Sequence, residues 1–564
     1  MRRWLPVLVC LLLACSPAAP PAAAPQATRA PAAVAGTPKR GGTLRVGVYQ
    51  EPILLNPLLG SQTINVVVSE AMLESLVIGA PDGTYQPQLA EEIPSQQNGG
   101  VSADGKSVTW KLKKGVVWSD GKPFTSKDVL FTYNVITNPA NPIPNRAGYD
   151  EIVSVTTPDD ATAVVTYKSL YAAFKNHFTR ILPEHVFNGD TVIDKKDFNR
   201  APIGTGPFKF KAWASGDTIT LERNPNYREK DALRPYLDTL IFKVVPSREA
   251  AVQAFKVGEI DMLWNLIEAN IPEFEAMSDA VIQPTPSSRV ERLVLNASCP
   301  SGPQQGDPKC PHPVLSDLRV RQAIELAIDK KALVDKLLFG KTTVASSVIP
   351  LGWYAPTLPT SEFNPDKAKQ LMDDAAWRPG PDGIRAKDGV RAHIEFGTTT
   401  GDALREQTQQ VIQEQLRTLG IEVDIKNSPS AVLLGTWADN APRAKGNFDM
   451  LMWTTNADLD PQTHLESYFL GNQVPTEQAR SGRNYHRVLD PELDKALVTA
   501  AGPLDEAQRK AAYKTVAERV NAGKGHIVLY NRLEIDAWKK YVKGHAMNVW
   551  DNLAWDAQNW WLDK

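Results

Sequence analysis

The sequence predicts an α/β protein built as two lobes, with the chain crossing between them more than once. Three observations predict it. A strand–helix–strand unit is legible at His393–Thr398, Asp402–Leu419 and Ile421–Lys426. Its helix carries Leu404, Val411, Ile412, Leu416 and Leu419 on one face and ends at Gly420, and such a unit implies parallel pairing. A separate strand region opens the folded chain at Gly41–Val48, and the apolar run Ile527–Trp538 could return the C-terminus to it. With 564 residues the chain exceeds one domain, and two or three are expected. Two crossings between lobes would make a hinge.

Taken in order, Arg2 and Arg3 precede an apolar run, Trp4–Ala14, too short to span a bilayer. The run ends Leu12-Leu13-Ala14-Cys15, which resembles a bacterial lipobox. That resemblance implies cleavage before Cys15, a lipid on its sulfur and an exported protein anchored to the membrane. Ser16–Lys39 is almost all Ala and Pro, so residues 15–40 read as a disordered, fairly stiff tether.

The strand at Gly41–Val48 runs into a loop holding Gln50 and Glu51, which would face a cleft. Ile64–Leu76 reads as a helix, and Ser102–Trp118 as a hairpin with turns at Asp104-Gly105 and Lys114-Gly115. Thr125 and Asp128 form a capping box for a helix through Ile136. Ile152–Tyr167 suggests two more strands, and these elements together read as an insert of roughly domain size.

Gly204-Thr205-Gly206-Pro207 lacks the Gly-Lys-Ser/Thr of a phosphate loop, and Pro207 blocks a following helix. It reads as a tight turn that lets backbone approach closely. Ser247 caps a helix stopped by Gly258, and Ile260–Leu266 reads as a strand. Ser316–Phe339 is helical with a break at Asp329. Asn364-Pro365 starts another helix, and Asp505–Asn521 is the last.

Cys299 and Cys310 bracket a Pro/Gly-rich loop, and an oxidising compartment favours a disulfide between them. A metal site using His312 with the two cysteines lacks a fourth ligand.

The stretch Phe448–Phe469 is the expected business end. Met450–Trp453 reads as a buried strand, Thr454–Asp458 as a polar loop, and Asp460-Pro461 as the N-cap and first position of a helix. A strand feeding a helix through a polar loop is a common ligand position. The candidate ligand-binding residues are Trp453, Thr455, Asn456 and Asp458 here, with Gln50, Glu51, Trp353, Tyr354 and Trp437 elsewhere. The aromatics are offered as stacking surfaces and Asp458 as a carboxylate for a cation or hydroxyl.

Several segments together resemble bacterial extracellular solute-binding proteins of family 5, the oligopeptide- and dipeptide-binding group. They are GGTLRVGV with LNPLL (Leu55–Leu59), LAEEIP (Leu89–Pro94), Lys111–Ile136, PIGTGPFKF (Pro202–Phe210), LERNPNY (Leu221–Tyr227), FKVGEIDML (Phe255–Leu263), Leu315–Val334 and Phe448–Pro461. The resemblance implies a type II periplasmic-binding-protein clamshell of three domains with two connecting hinge strands. Residues 41–296 would form lobe one, with an insert at about 70–200. Residues 297–525 would form lobe two, and 526–564 would return to lobe one.

The resemblance also implies a monomeric receptor that encloses a solute and hands it to an ABC permease. Asp458 matches the acid that pairs with a peptide's α-amino group, while Thr455 stands where the family usually has Trp. The solute expected is a peptide, with an oligosaccharide as the alternative.

Formal net charge is −2 with 22% charged residues, and no basic cluster suits nucleic acid. Nothing points to a cofactor. A secreted hydrolase using Asp458 with Glu466 or Asp460 is the competing class, but no Gly-x-Ser-x-Gly or His-Glu-x-x-His motif is present.

Overall fold

The computed structural model describes residues 36–564, apart from 61, 144–145, 147, 436, 438, 457, 481 and 503–504 and the side chains of 431 and 456. The expected signal (1–14), Cys15 and most of the tether lie outside the described residues. Among the described residues, no helix is long and apolar enough to cross a membrane.

Ten of the described strands form one continuous sheet. In chain order these are β1 (Thr43–Val48), β2 (Phe208–Ala214), β3 (Thr218–Arg223), β4 (Thr239–Val244) and β5 (Met262–Leu263). They continue with β6 (Ala280–Leu295), β7 (His393–Gly397), β8 (Glu422–Ile425), β9 (Met450–Asn456) and β10 (His526–Lys539). Their spatial order is β8-β7-β9-β6-β10-β5-β1-β4-β3-β2. The two long strands β6 and β10 lie antiparallel at the centre and belong to both halves.

The N-terminal part of β6 pairs only with β10; its C-terminal part, from Arg289, also takes β9 as a neighbour. Between Pro286 and Val290 the β6–β10 register shifts, so the passage from one half to the other falls inside the strand. Pro284 and Pro286 sit on the N-terminal side of that shift. Proline lacks the N–H a sheet ladder needs and suits a strand irregularity.

The strand–helix–strand reading holds. β7 and β8 are parallel, and helix α1 (Ala403–Leu419) lies between them with Asp402 accepting from the Arg405 N–H as N-cap. Gly420 ends it at φ +90°, a left-handed conformation that glycine adopts without strain.

Lobe two has two apolar layers, one on each face of its sheet. Leu293, Leu295, Met450, Met452, Ile527 and Leu529 face α1. Val290, Val294, Leu451, Trp453 and Val528 face a second layer. That layer is built from α2 (Gln462–Phe469), α3 (Pro491–Ala501) and α4 (Glu506–Gly523).

Lobe one packs β1 and β4 against Leu55–Val68 and the C-terminal Leu553–Trp560. The insert has its own sheet, Ser107–Lys111, Thr162–Tyr167 and Ile152–Asp159, around Trp110 and Trp118. Its helix Ser126–Thr137 carries the expected capping box at Thr125 and Asp128.

The Gly204–Gly206 turn is a close backbone crossing. A Cβ on Gly204 would lie 1.9 Å from the Met72 carbonyl oxygen. The Gly206 N–H donates to that same oxygen at 2.8 Å.

Three elements differ from expectation. The first helix covers only Thr63–Ser69, because the chain then turns through Ala71 and Met72 to meet that crossing. Ser107–Lys111 pairs with Thr162–Tyr167 instead of closing a hairpin on itself, and only Val101 bridges back to Val108. The strand expected at Ile260–Leu266 is two residues long, Met262–Leu263, because it pairs with β1 and β10 only there.

Candidate functional site

The insert and lobe two meet along a crevice, and the segment between β9 and α2 lies at their contact. The strand runs further than expected, through Thr454 and Thr455 to Asn456, because β6 supplies pairing partners for each: Glu291, Val290 and Arg289. What remains of the polar loop is residues 457–461, and Ala457 lies outside the described residues.

Glu291 on β6 fixes the end of β9. It is fully buried and accepts from Arg405 Nε at 3.0 Å, Thr454 Oγ1 at 2.7 Å and Arg532 Nη1 at 3.1 Å. Arg532, on β10, also reaches Glu268 of lobe one at 3.4 Å. One charge network therefore ties both connecting strands to the end of β9 and to the other half.

Asp458 is exposed, yet protein surrounds it on most sides. Loss of solvent raises its carboxyl from the ordinary 3.8 to about 6, against the pull of Arg483. Its backbone carbonyl accepts from the Tyr354 hydroxyl. Tyr85, from the insert, faces the same place; burial and the charges of Asp460 and Asp458 hold its phenol well above its usual range.

The helix begins at Gln462, one residue later than expected, and Asp460 does more than cap it. Its carboxylate is buried and forms a two-pronged pair with Arg509 on α4, Oδ2 to Nη1 at 2.6 Å and Oδ1 to Nη2 at 2.7 Å. Oδ1 also accepts, more loosely, from the Gln462 N–H at 3.2 Å. The insert touches the same residue: Asn176 Nδ2 donates to the Asp460 carbonyl at 2.8 Å, and Tyr171 Oη lies 3.2 Å from Thr463 Oγ1.

Between the insert and lobe two lies a cavity of about 470 Å³, lined among others by Tyr85, Phe174, Lys175, Trp353, Asp460 and Arg509. Among the described residues, no group of three His, Cys, Asp or Glu is placed to hold a metal ion.

Of the expected site residues, Trp353 lines the cavity, Asp458 is exposed two positions before the cavity-lining Asp460, and Gln50 is exposed after β1. Trp453 does not face a ligand: it is buried beneath α2, with its ring 6.1 Å from Tyr485. Tyr354 is fully buried and acts on the loop only through its hydroxyl. Thr455 is buried on the Trp453 face.

Glu51 is engaged within lobe one, accepting from Trp213 Nε1 at 2.8 Å and the Gly216 N–H at 3.0 Å. Trp437 is half-buried, with the Lys445 ammonium 3.9 Å from its ring. The main chain of Asn456 belongs to β9; its side chain lies outside the described residues. Cys299 and Cys310 are joined by a disulfide, with Cα atoms 5.4 Å apart.

Sequence reasoning missed Arg509, Tyr85 and the Glu291 network. Their partners are far away in the chain, so no local spacing announces them.

The fold and the crevice define a two-lobe binding protein of the clamshell class. The family model for bacterial extracellular solute-binding proteins, family 5 Middle, matches residues 84–475, and the chain belongs to that family. It is 29% identical over 541 residues to the oligopeptide-binding protein AppA of Bacillus subtilis, covering 94% of this chain and 93% of that one. It is 28% identical to the nickel-binding periplasmic protein of Escherichia coli, covering 83% and 84%. Among solved structures it is similar to B. subtilis AppA in complex with a nonapeptide, with a TM-score of 0.79 and 28% identity, covering 94% and 100% of the two chains.

Proposed function

We propose that this protein is the solute receptor of an ABC importer: an extracytoplasmic monomer, tied to the membrane by a lipid on Cys15. It closes two lobes on a peptide and passes it, chemically unaltered, to a permease. Residues 41–296 and 526–564 act as lobe one, with the insert at about 70–200, and 297–525 as lobe two. Ligand shifts the balance between open and closed forms by touching both lobes.

The observation that carries this reading is Asp458: an exposed, partly desolvated carboxyl at the crevice, with Tyr354 pinning its backbone and Tyr85 of the insert opposite. A peptide's α-ammonium group supplies the counter-charge that position lacks. The names of AppA and its nonapeptide complex support a peptide as the solute class.

A thermal-shift screen of peptides and oligosaccharides tests it. Saturable stabilisation by peptides, recovered intact, supports the receptor. Products in the supernatant, or stabilisation by sugars alone, overturn it. Mass spectrometry of the membrane fraction tests the anchor, and an unmodified residue 15 with residues 1–14 attached refutes it.

A further inference from the structure

The cavity of about 470 Å³ between the insert and lobe two has the size of a small-molecule pocket, and its walls are held from both sides. On the insert side the Tyr85 hydroxyl donates to Asn176 Oδ1 at 2.6 Å, and Asn176 Nδ2 donates in turn to the Asp460 carbonyl of lobe two at 2.8 Å. On the other side Arg509 is fixed by the Asp460 carboxylate, the Ala500 carbonyl and the Tyr513 hydroxyl. Its guanidinium lies 5.4 Å from the Trp353 ring. Three rings, Tyr85, Phe174 and Trp353, line the space between.

Lys175 lines it too, and differs from Arg509. Among the described residues it has no hydrogen bond or ion pair, and its ammonium lies 4.8 Å from the centre of the Tyr85 ring and 6.0 Å from that of Phe174. Burial pulls its pKa below the usual lysine range, against the attraction of Asp460 and Glu506. Ring faces attract an ammonium, and more strongly as water is removed.

The surrounding charge decides what can meet that ammonium. Three carboxylates, Asp82, Asp460 and Glu506, line the cavity against two cations, Lys175 and Arg509. An anionic group would therefore enter a field that is negative on balance, and a cationic one would meet Lys175 directly. An uncharged aromatic ring suffers neither penalty. Its face attracts the ammonium, and its area is buried against the three rings. The cavity also lies close to the amine position, because the Tyr85 phenol feels both Asp460 and Asp458.

We propose that this cavity receives an uncharged aromatic side chain at the amine end of the solute, with its ring held against the Lys175 ammonium. The solutes selected are peptides that open with tryptophan, tyrosine or phenylalanine. This names the solute class of the receptor reading above and rests on that reading.

The test uses calorimetry on the mature protein with two peptide pairs. Trp-Ala-Ala against Leu-Ala-Ala asks whether the cavity takes an aromatic group. Phe-Ala-Ala against the same peptide opening with cyclohexylalanine, of like size but without a π-face, asks whether Lys175 reads the ring. The wild type should prefer the tryptophan peptide by tenfold or more and the phenylalanine peptide by threefold or more. In Lys175→Met the phenylalanine preference should vanish. Trp353→Leu, at the opposite wall, should bring the tryptophan preference below threefold. Equal affinities within either pair in the wild type overturn the proposal, as does a phenylalanine preference unchanged in Lys175→Met.

If no peptide binds the wild type, the peptide reading fails by itself and indole, an uncharged ring without an amine, decides the cavity. A saturable rise in melting temperature that is smaller in Lys175→Met supports it. No rise, or an equal rise in both proteins, overturns it.

Discussion

Arg532 and Glu291 face each other at 3.1 Å across the two strands that join the lobes, and Arg532 reaches on to Glu268 of lobe one. Burial would disfavour each charge alone, and their pairing offsets that cost. Because Glu291 also receives Thr454 and Arg405, the two connecting strands and the end of β9 share one set of charges.

Glu291→Gln should therefore destabilise strongly, by about 3–5 kcal/mol, since it leaves Arg405 and Arg532 buried with reduced compensation. Urea denaturation measures it. A change under 1 kcal/mol would show that water or other groups already satisfy the two arginines.

Asp460→Ala should cost about 3–5 kcal/mol for the same reason, because Arg509 is left without its two-pronged partner. Replacing both residues, Asp460→Leu with Arg509→Met, should cost less than either single change. A double-mutant cycle reads the difference.

The folded Asp458 carboxyl holds its proton to about pH 6, against an ordinary 3.8. Between those values the folded state binds more protons than the unfolded one, so stability falls as pH rises, and the loss is complete above about 6. Asp458→Asn removes that slope. The unliganded variant should melt higher than wild type at pH 7.5, with the gap closing towards pH 4. Amine-bearing solutes should bind the wild type more weakly as pH falls through 6, and the variant weakly throughout.

The Cys299–Cys310 bond closes a short loop of sequence separation 11. Its removal by a double Cys→Ala change should cost about 2–3 kcal/mol on a loop-entropy argument, leaving solute affinity unchanged. Denaturation and calorimetry on the same sample check both halves.

Elements with local signals were legible. Asp402, Gly420, the Thr125–Asp128 box and the Asp329 break each act on neighbours within four residues, so spacing reveals them. What spacing could not show was direction. Trp453 sits in an apolar run that suits a core and a stacking surface equally, and pairing with Arg292 of β6 turns it inward. Tyr354 follows a Pro-Gly-containing loop, as an exposed residue would, yet packs against Tyr513 at 5.6 Å. Asp460 reads as a cap because Arg509 lies 49 positions away. The Glu291–Arg532 pair spans 241 positions and leaves no trace in any window.

The most direct test of solute capture at Asp458 is a pull-down from a mixed peptide pool, free-amine against N-acetylated, read by mass spectrometry of what the mature protein retains. The account predicts that intact free-amine peptides are retained by the wild type and lost in Asp458→Ala, with the acetylated pool unbound. Equal retention of both pools, or peptides returned cleaved, would contradict it.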